Sequence, residues 1–232
     1  MAIGVKALPI TFVAHALAIV GAVFVLVWCI HFRGGFAWVA TNKSLIFNNH
    51  PALMLIGFII IGGQAAISYK SLPLKKEVKK IIHLGLHAVA LVLGIVGIYA
   101  AFKYHNESGI ANLYSLHSWL GIGVIVLYAI QWIYGFAIFF YPGGSEGLRG
   151  GSLPWHVLFG VTIFSLAIGN AALGFLEKLT FLENSGLAKY GPEAYLVNFT
   201  AIATILYGAF VLITVYSAGE PPAPDDFSYS AV

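Results

Sequence analysis

Histidine is the residue type in this sequence that is best able to do chemistry. Eight histidines occur in a chain of 232 residues that is 59% hydrophobic and only 9% charged. An imidazole in apolar surroundings needs a hydrogen-bond partner or a metal, because burying it unpaired costs free energy. It can act as a structural polar group, relay a proton or bind iron. The elements that hold the histidines decide between these roles.

The distribution of charge defines those elements. All 12 Lys and Arg and all 9 Asp and Glu lie outside six uncharged windows, 7–32, 44–69, 81–102, 108–145, 150–176 and 194–219. A spanning helix needs about 20 apolar residues to cross a hydrocarbon core of about 30 Å. The windows predict six transmembrane helices at approximately 8–31, 50–70, 80–103, 116–141, 154–177 and 194–217. The predicted fold class is an all-α integral membrane protein, which excludes a soluble or disordered chain, and the continuous apolar runs disfavour a β-barrel.

Several other features narrow the possible functions. The single Cys29 cannot form an intrachain disulfide, and no CxxC or CxxCH motif offers a zinc cluster or a covalent haem site. The net charge of +3 comes mostly from one lysine cluster and gives no indication of nucleic-acid binding. We find no soluble domain and no clear sequence repeat, so 1–232 is predicted to be a single membrane domain.

That lysine cluster predicts the orientation of the chain. The link between the second and third helices holds five cations, Lys70, Lys75, Lys76, Lys79 and Lys80. By the positive-inside rule this link is cytoplasmic, which places both termini in the cytoplasm as well. Residues 33–49, 104–115 and 178–193 then face the outside or a lumen. The tail at 218–232 is predicted to be a flexible cytoplasmic segment.

Each of the four central helices carries a histidine near its own start: His50, His83, His117 and His156. Because adjacent helices are antiparallel, His50 and His117 are predicted to lie near the outer face, and His83 and His156 near the cytoplasmic face. Two histidines at matching depth on two helices can clamp one planar tetrapyrrole from both sides. The pattern therefore predicts a central bundle of helices 2–5 that holds two haems.

The remaining histidines have other expected roles. His87 lies one turn from His83 on the same helix face, so it is either an alternative cytoplasmic-side ligand or a neighbour of that ligand. His15, His31 and His105 are not expected to bind iron. Glycines near the ligand face of each helix are expected to leave space for a porphyrin, although close helix packing is the alternative explanation: Gly57, Gly94, Gly121 and Gly160.

Six short segments resemble the cytochrome b561 family, particularly its plant members. They are HFRGG at 31–35, FNNHP at 47–51, KKIIH at 79–83, YSLHSWLG at 114–121, YPGGS at 141–145 and PWH at 154–156. The resemblance implies a dimeric six-helix protein with two non-covalent haem b groups. It also implies the ligand pairs His50 with His117 and His83 with His156. The implied activity is that of an ascorbate-dependent transmembrane ferrireductase or monodehydroascorbate reductase.

The resemblance also implies two substrate sites. On the cytoplasmic side, ascorbate would bind in a basic pocket formed by Lys76, Lys80 and Arg149. On the other side, monodehydroascorbate or a ferric chelate would bind near five residues, His105, Tyr104, Asn112, Tyr114 and Asn184. His105 is also a candidate proton donor there. Plant relatives suggest a vacuolar, other endomembrane or plasma membrane location, and the sequence does not choose among them.

Two alternative functions share some of these features. A quinone-linked respiratory cytochrome b subunit also holds bis-histidine haems in a bundle, although no docking segment for a partner subunit is evident. A proton or metal transporter would be expected to carry Asp or Glu along an intramembrane path, and the six windows contain neither. A transmembrane electron carrier is therefore the favoured function.

Overall fold

Residues 3–218 are described in the structure, a computed structural model, and most of them lie in six helices. The helices are α1 (Ala7–Phe32), α2 (Ser44–Ser71), α3 (Lys76–Ser108), α4 (Leu116–Phe139), α5 (Glu146–Asn184) and α6 (Pro192–Tyr216). Each is long and apolar enough to span a membrane. A helix satisfies all its backbone hydrogen bonds internally, as the hydrocarbon core requires. The predicted all-α fold with six spanning helices is confirmed. The predicted tail, 218–232, lies outside the described residues except for Ala218.

The central four helices form a closed ring. In this ring α2 packs on α3, α3 on α4, α4 on α5 and α5 on α2. The first and last helices pack on each other outside the ring, α1 against α2 and α6 against both α2 and α5. Consequently α2 faces α4, and α3 faces α5, across the interior of the ring.

Both terminal segments lie at the same end of the ring. A short strand β1 (Ile3–Lys6) pairs in parallel with β2 (Ser217–Ala218). At this end the Lys70 ammonium donates to the Ser217 carbonyl at 3.1 Å, so the lysine-rich link that follows α2 is here too. We call this the lysine end and the other the opposite end.

Two helices are longer than their uncharged windows suggest. Helix α5 begins at Glu146 rather than 154, because the Ser145 hydroxyl accepts from the Leu148 amide and caps it, and Pro154 lies inside the helix. Helix α3 continues to Ser108, where Gly109 ends it with a φ of +67°. Charged residues end an apolar window, but they do not end a helix whose last turns lie at the membrane surface.

Candidate functional site

Two cavities lie inside the ring, one toward each end. The cavity at the lysine end has a volume of about 1000 Å³ and is lined by His83 and His156. The cavity at the opposite end has a volume of about 580 Å³ and is lined by His50 and His117. The histidines therefore lie in two layers on diagonal helices, as their positions in the sequence predicted.

The two rings of each pair face each other at nearly the same separation. The ring centroids of His50 and His117 are 6.1 Å apart, and those of His83 and His156 are 6.2 Å apart. An iron bonded to two imidazole nitrogens at about 2 Å each would hold the centroids about 6 Å apart. Two opposed nitrogens suit a macrocycle that supplies the other four ligands of the iron.

A bare metal ion has no comparable site. Within residues 3–218, no group of three or more His, Cys, Asp or Glu is placed to hold one. The donor set and spacing of each cavity therefore fit haem.

Backbone carbonyls orient three of the four imidazoles. The Nδ1 atoms of His50, His83 and His117 lie 2.9 Å from the carbonyl oxygens of Gly97, Ala65 and Asn170, respectively. A carbonyl can only accept, so each Nδ1 carries the proton and each Nε2 keeps a free lone pair. A histidine in this tautomer can bind iron through Nε2, and the tautomer is fixed by the hydrogen bond from Nδ1 to a backbone carbonyl of a neighbouring helix.

The fourth imidazole is held differently. The Nδ1 atom of His156 lies 3.0 Å from the side-chain amide of Gln131, which also donates to the His156 carbonyl at 2.7 Å. The polar partner of His156 is thus a side chain, which makes the lysine-end pair chemically distinct from the other pair.

Helices α4 and α5 carry the same pattern in opposite directions. Each has a histidine, then a glycine 4 residues later, an amide side chain 14 later and a second glycine 18 later. A Cβ added to the second glycine of each helix would lie 2.6–3.0 Å from the histidine ring of the other helix, and one added to the first glycine would lie 3.0–3.5 Å from the amide nitrogen of the other helix. The positions are His117, Gly121, Gln131 and Gly135 in α4, and His156, Gly160, Asn170 and Gly174 in α5. The two helices thus share an inverted repeat of four positions, within segments whose sequences otherwise differ.

The glycines predicted to make room for porphyrin divide into two groups. Gly121 and Gly160 line the cavities. A Cβ on Gly57 would lie 2.6 Å from that of Leu93, and one on Gly94 would lie 2.9 Å from atoms of Phe58 and Ile125. Gly57 and Gly94 therefore serve close helix packing, which was the alternative explanation.

His87 lies beside the lysine-end pair. Its ring centroid is 4.4 Å from that of His83, and its Nδ1 forms a hydrogen bond with the Tyr128 hydroxyl. The ring opposite His156 at the spacing of an axial pair is that of His83. His87 thus has the position of a neighbour of the ligand.

The residues predicted to bind ascorbate lie together at the lysine end. Lys76, Lys80 and Arg149 all line the cavity that contains His83 and His156. Lys76 and Arg149 are exposed, so this cavity reaches the surface of the protein. The structure thus places three cations at the mouth of one histidine cavity.

Three of the five residues predicted at the opposite end line its cavity: Tyr104, His105 and Tyr114. The rings of His105 and Tyr114 are stacked with centroids 6.1 Å apart. Partial burial, and then the nearby Glu177 and Tyr104, raise the pKa of Tyr114. Its hydroxyl therefore remains protonated, and able to donate, well above neutral pH.

The other two predicted residues are not brought to this cavity. The Asn112 amide donates to the Asn106 side chain at 2.7 Å in an exposed loop. Asn184 is the last residue of α5 and does not line the cavity. Both were implied by the family resemblance, which does not show where the side chain of a loop or helix-end residue points.

Several polar residues that line the cavities were not predicted from the sequence, among them Gln131, Asn170 and Lys178. Within residues 3–218, the Asn170 Oδ1 atom is the one buried side-chain acceptor without a hydrogen-bond partner. Amides 14 residues after a ligand histidine, in otherwise apolar windows, were the signal that could have revealed the first two.

Comparison with known proteins identifies the family. Residues 49–182 match the family described as eukaryotic cytochrome b561. The chain is 65% identical to transmembrane ascorbate ferrireductase 1 of Arabidopsis thaliana, over 100% of both chains. It is 62% identical to probable ascorbate-specific transmembrane electron transporter 1 of Oryza sativa subsp. japonica, over 98% of both chains. It is 42% identical to transmembrane ascorbate-dependent reductase CYB561 of Mus musculus, over 82% of this chain and 76% of that one. The chain therefore belongs to the eukaryotic cytochrome b561 family.

Proposed function

We propose that this protein transfers electrons across a membrane from ascorbate to monodehydroascorbate or a ferric chelate. The electrons would pass through two haem b groups, one bound by His83 and His156 and the other by His50 and His117. The observation that carries this proposal is the pair of histidine cavities at opposite ends of one ring. Haem b is the cofactor that membership of the family implies. The names of the relatives support ascorbate as the donor.

Haem held between two of these histidines would supply a one-electron iron couple without an open position for oxygen, which would favour outer-sphere electron transfer. The protein supplies the geometry. Nδ1 hydrogen bonds from three imidazoles to backbone carbonyls keep each Nε2 available for iron.

A pair of aromatic rings lies between the cavities. Phe58 lines the cavity at the opposite end, and Tyr128 lines the one at the lysine end. Their ring centroids are 4.8 Å apart. In α4 and in α5, 14 residues separate the histidine from the amide that faces the other histidine layer. This separation corresponds to about 21 Å of helix. Two haems at this spacing would fit within a hydrocarbon core of about 30 Å.

The lysine end would receive the donor. Ascorbate is a monoanion at neutral pH, and the cations of Lys76, Lys80 and Arg149 would attract and orient it beside the His83 cavity. Arg149 can also hold two oxygens of one ligand through its planar guanidinium. His105 and Tyr114 would donate hydrogen bonds to the acceptor at the opposite end.

The same proposal includes the orientation and the assembly. The lysine end would be cytoplasmic by the positive-inside rule, with both termini on that side. The protein would reside in an endomembrane such as the tonoplast, or in the plasma membrane, as a homodimer. The family resemblance is the basis for the dimer and for these locations.

Replacing Lys80 with alanine tests the donor site. We expect Lys80→Ala to slow ascorbate reduction of the lysine-end haem by about tenfold, because one of the cations that attract the anion is lost. Dithionite should still reduce both haems, since the ligands are unchanged. The measurement is stopped-flow absorbance of the α-band.

A matched control lies one residue away. Lys79 belongs to the same link but donates to the Tyr69 carbonyl at 3.3 Å and does not line the cavity. Lys79→Ala should therefore retain the rate of the unmodified protein. Equal rates for the two variants would remove Lys80 from the donor site, and a protein that binds no haem would overturn the proposed function itself.

A further inference from the structure

Lys178 is a cation in the cavity at the opposite end. It lies on α5, one turn after Gly174, where an added Cβ would lie 2.6 Å from the His117 ring. Its ammonium is 4.1 Å from the centroid of the Phe47 ring. That ring in turn is 5.9 Å from the ring of His50. The ammonium therefore lies beside the His50 and His117 pair, on the side away from the lysine end.

The carboxylates closest to Lys178 are engaged by other groups. Glu193 forms an ion pair with Arg33 and accepts a hydrogen bond from the Trp28 indole at 2.9 Å. Glu177, the preceding residue in the chain, accepts from the Ser115 hydroxyl at 3.3 Å. None of the ion pairs formed within residues 3–218 includes Lys178.

Glu177 lines the same cavity, but no carboxylate of the described residues lies within ion-pair distance of the Lys178 ammonium. Removing an ammonium from water is costly unless an anion compensates, and contact with one aromatic face offsets only part of that cost. Among the described residues that line this cavity, Lys178 is the one Lys or Arg. At the lysine end, by contrast, four cations line the cavity: Lys70, Lys76, Lys80 and Arg149.

We propose that Lys178 binds an anionic oxygen group of a ligand inside this cavity. The inference rests on the proposed function, because that function supplies two ligands with such a group. One is the propionate of the haem held by His50 and His117, and the other is an anionic electron acceptor. Both would bring a negative oxygen to the same ammonium, through a charge-assisted hydrogen bond.

The test replaces Lys178 in the intact, haem-containing protein. Lys178→Met keeps the length of the side chain without its charge, Lys178→Gln is a second uncharged variant, and Lys178→Arg keeps the charge. Lys189→Gln is the matched control, because Lys189 is exposed at the same end and does not line the cavity. The readouts are haem content, the midpoint potentials of both haems, and KM for two acceptors, anionic ferricyanide and cationic hexaammineruthenium(III).

The outcomes separate the two sources of the anion. If Lys178 holds a propionate, both uncharged variants lose haem from the opposite-end site, or lower its midpoint potential, and the two acceptors are affected alike. If it holds the acceptor, haem content is retained and KM for ferricyanide rises about tenfold relative to KM for hexaammineruthenium(III). Lys178→Arg should preserve the behaviour of the unmodified protein in either case.

Uncharged variants that match Lys189→Gln in haem content, potentials and both KM values would overturn the inference. Such a result would leave the proposed function intact, because ascorbate would still reduce both haems. Failure of the unmodified protein to bind haem or to accept electrons from ascorbate would instead contradict the proposed function.

Discussion

Gly174 has no side chain where the His117 imidazole needs space, which makes it a sensitive test of the histidine cavity. A Cβ added at this position would lie 2.6 Å from Cε1, 3.1 Å from Nδ1 and 3.2 Å from Nε2 of that ring. All three atoms belong to the proposed iron ligand. Gly174→Ala should therefore displace the ring and weaken haem binding at the opposite end.

The size of the effect follows from those distances. The ring must retreat by roughly 0.8 Å before Cε1 regains an ordinary contact. Overpacking of this kind costs about 1–3 kcal/mol, and weakening the Nδ1 bond to the Asn170 carbonyl adds about 1 kcal/mol. A total of roughly 2–4 kcal/mol corresponds to a loss of about 30- to 1000-fold in haem affinity.

Transfer of haem to an apomyoglobin scavenger, followed by absorbance, measures this loss. Gly169→Ala is the matched control on the same helix, because a Cβ there meets nothing within 4 Å. Gly135→Ala should give a smaller loss from the other site, since its nearest contact with His156 is 3.0 Å. If Gly174→Ala releases haem no faster than Gly169→Ala, the proposed position of His117 at the iron is wrong.

Two further predictions concern polar contacts. Gln131→Leu should shift the midpoint potential and the low-spin EPR signal of the lysine-end haem alone, because it removes the amide beside the Nδ1 of His156. An unchanged signal, or equal shifts in both haems, would contradict the role of Gln131. Glu193→Gln should lower the melting temperature in detergent, because it leaves Arg33 without its ion-pair partner. Arg33 is partly exposed, so the cost should be below the roughly 3–5 kcal/mol of a fully buried pair. Adding Arg33→Gln should recover much of that stability, whereas additive losses would show that the two side chains are not coupled.

The sequence was sufficient to predict the helices and the histidine layers. Uncharged windows predict the number of spans, and the alternating direction of the helices assigns each histidine to a depth. The equal depth of His50 and His117 could therefore be predicted from the residue order alone. The depth of a residue in the membrane follows from its position along a spanning helix and from the direction of that helix. The ring formed by α2 to α5 then places the paired helices diagonally.

The sequence does not show how each helix is rotated about its own axis or which side chains of neighbouring helices meet. The π-helical stretch at Leu53–Ile60 changes the rotation of α2 within an unbroken apolar run, and no residue type marks it. Gln131 and Asn170 are both amides in apolar windows, yet only their contacts show which imidazole each one approaches. Lys178 was regarded as the start of an outer loop because charge ended the window, whereas α5 continues for six more residues to Asn184.

The inverted repeat of α4 and α5 has a consequence for the direction of electron flow. In α4 and α5 the second glycine leaves space for the imidazole of the other helix, and the first leaves space for its amide. The spacing in this half of the ring therefore gives no structural reason for electrons to move one way rather than the other. The direction would be set by the redox potentials of the donor and the acceptor, and by the groups that differ between the ends. These are the four cations at one cavity, the one lysine among the described residues that line the other, and the Gln131 contact to His156.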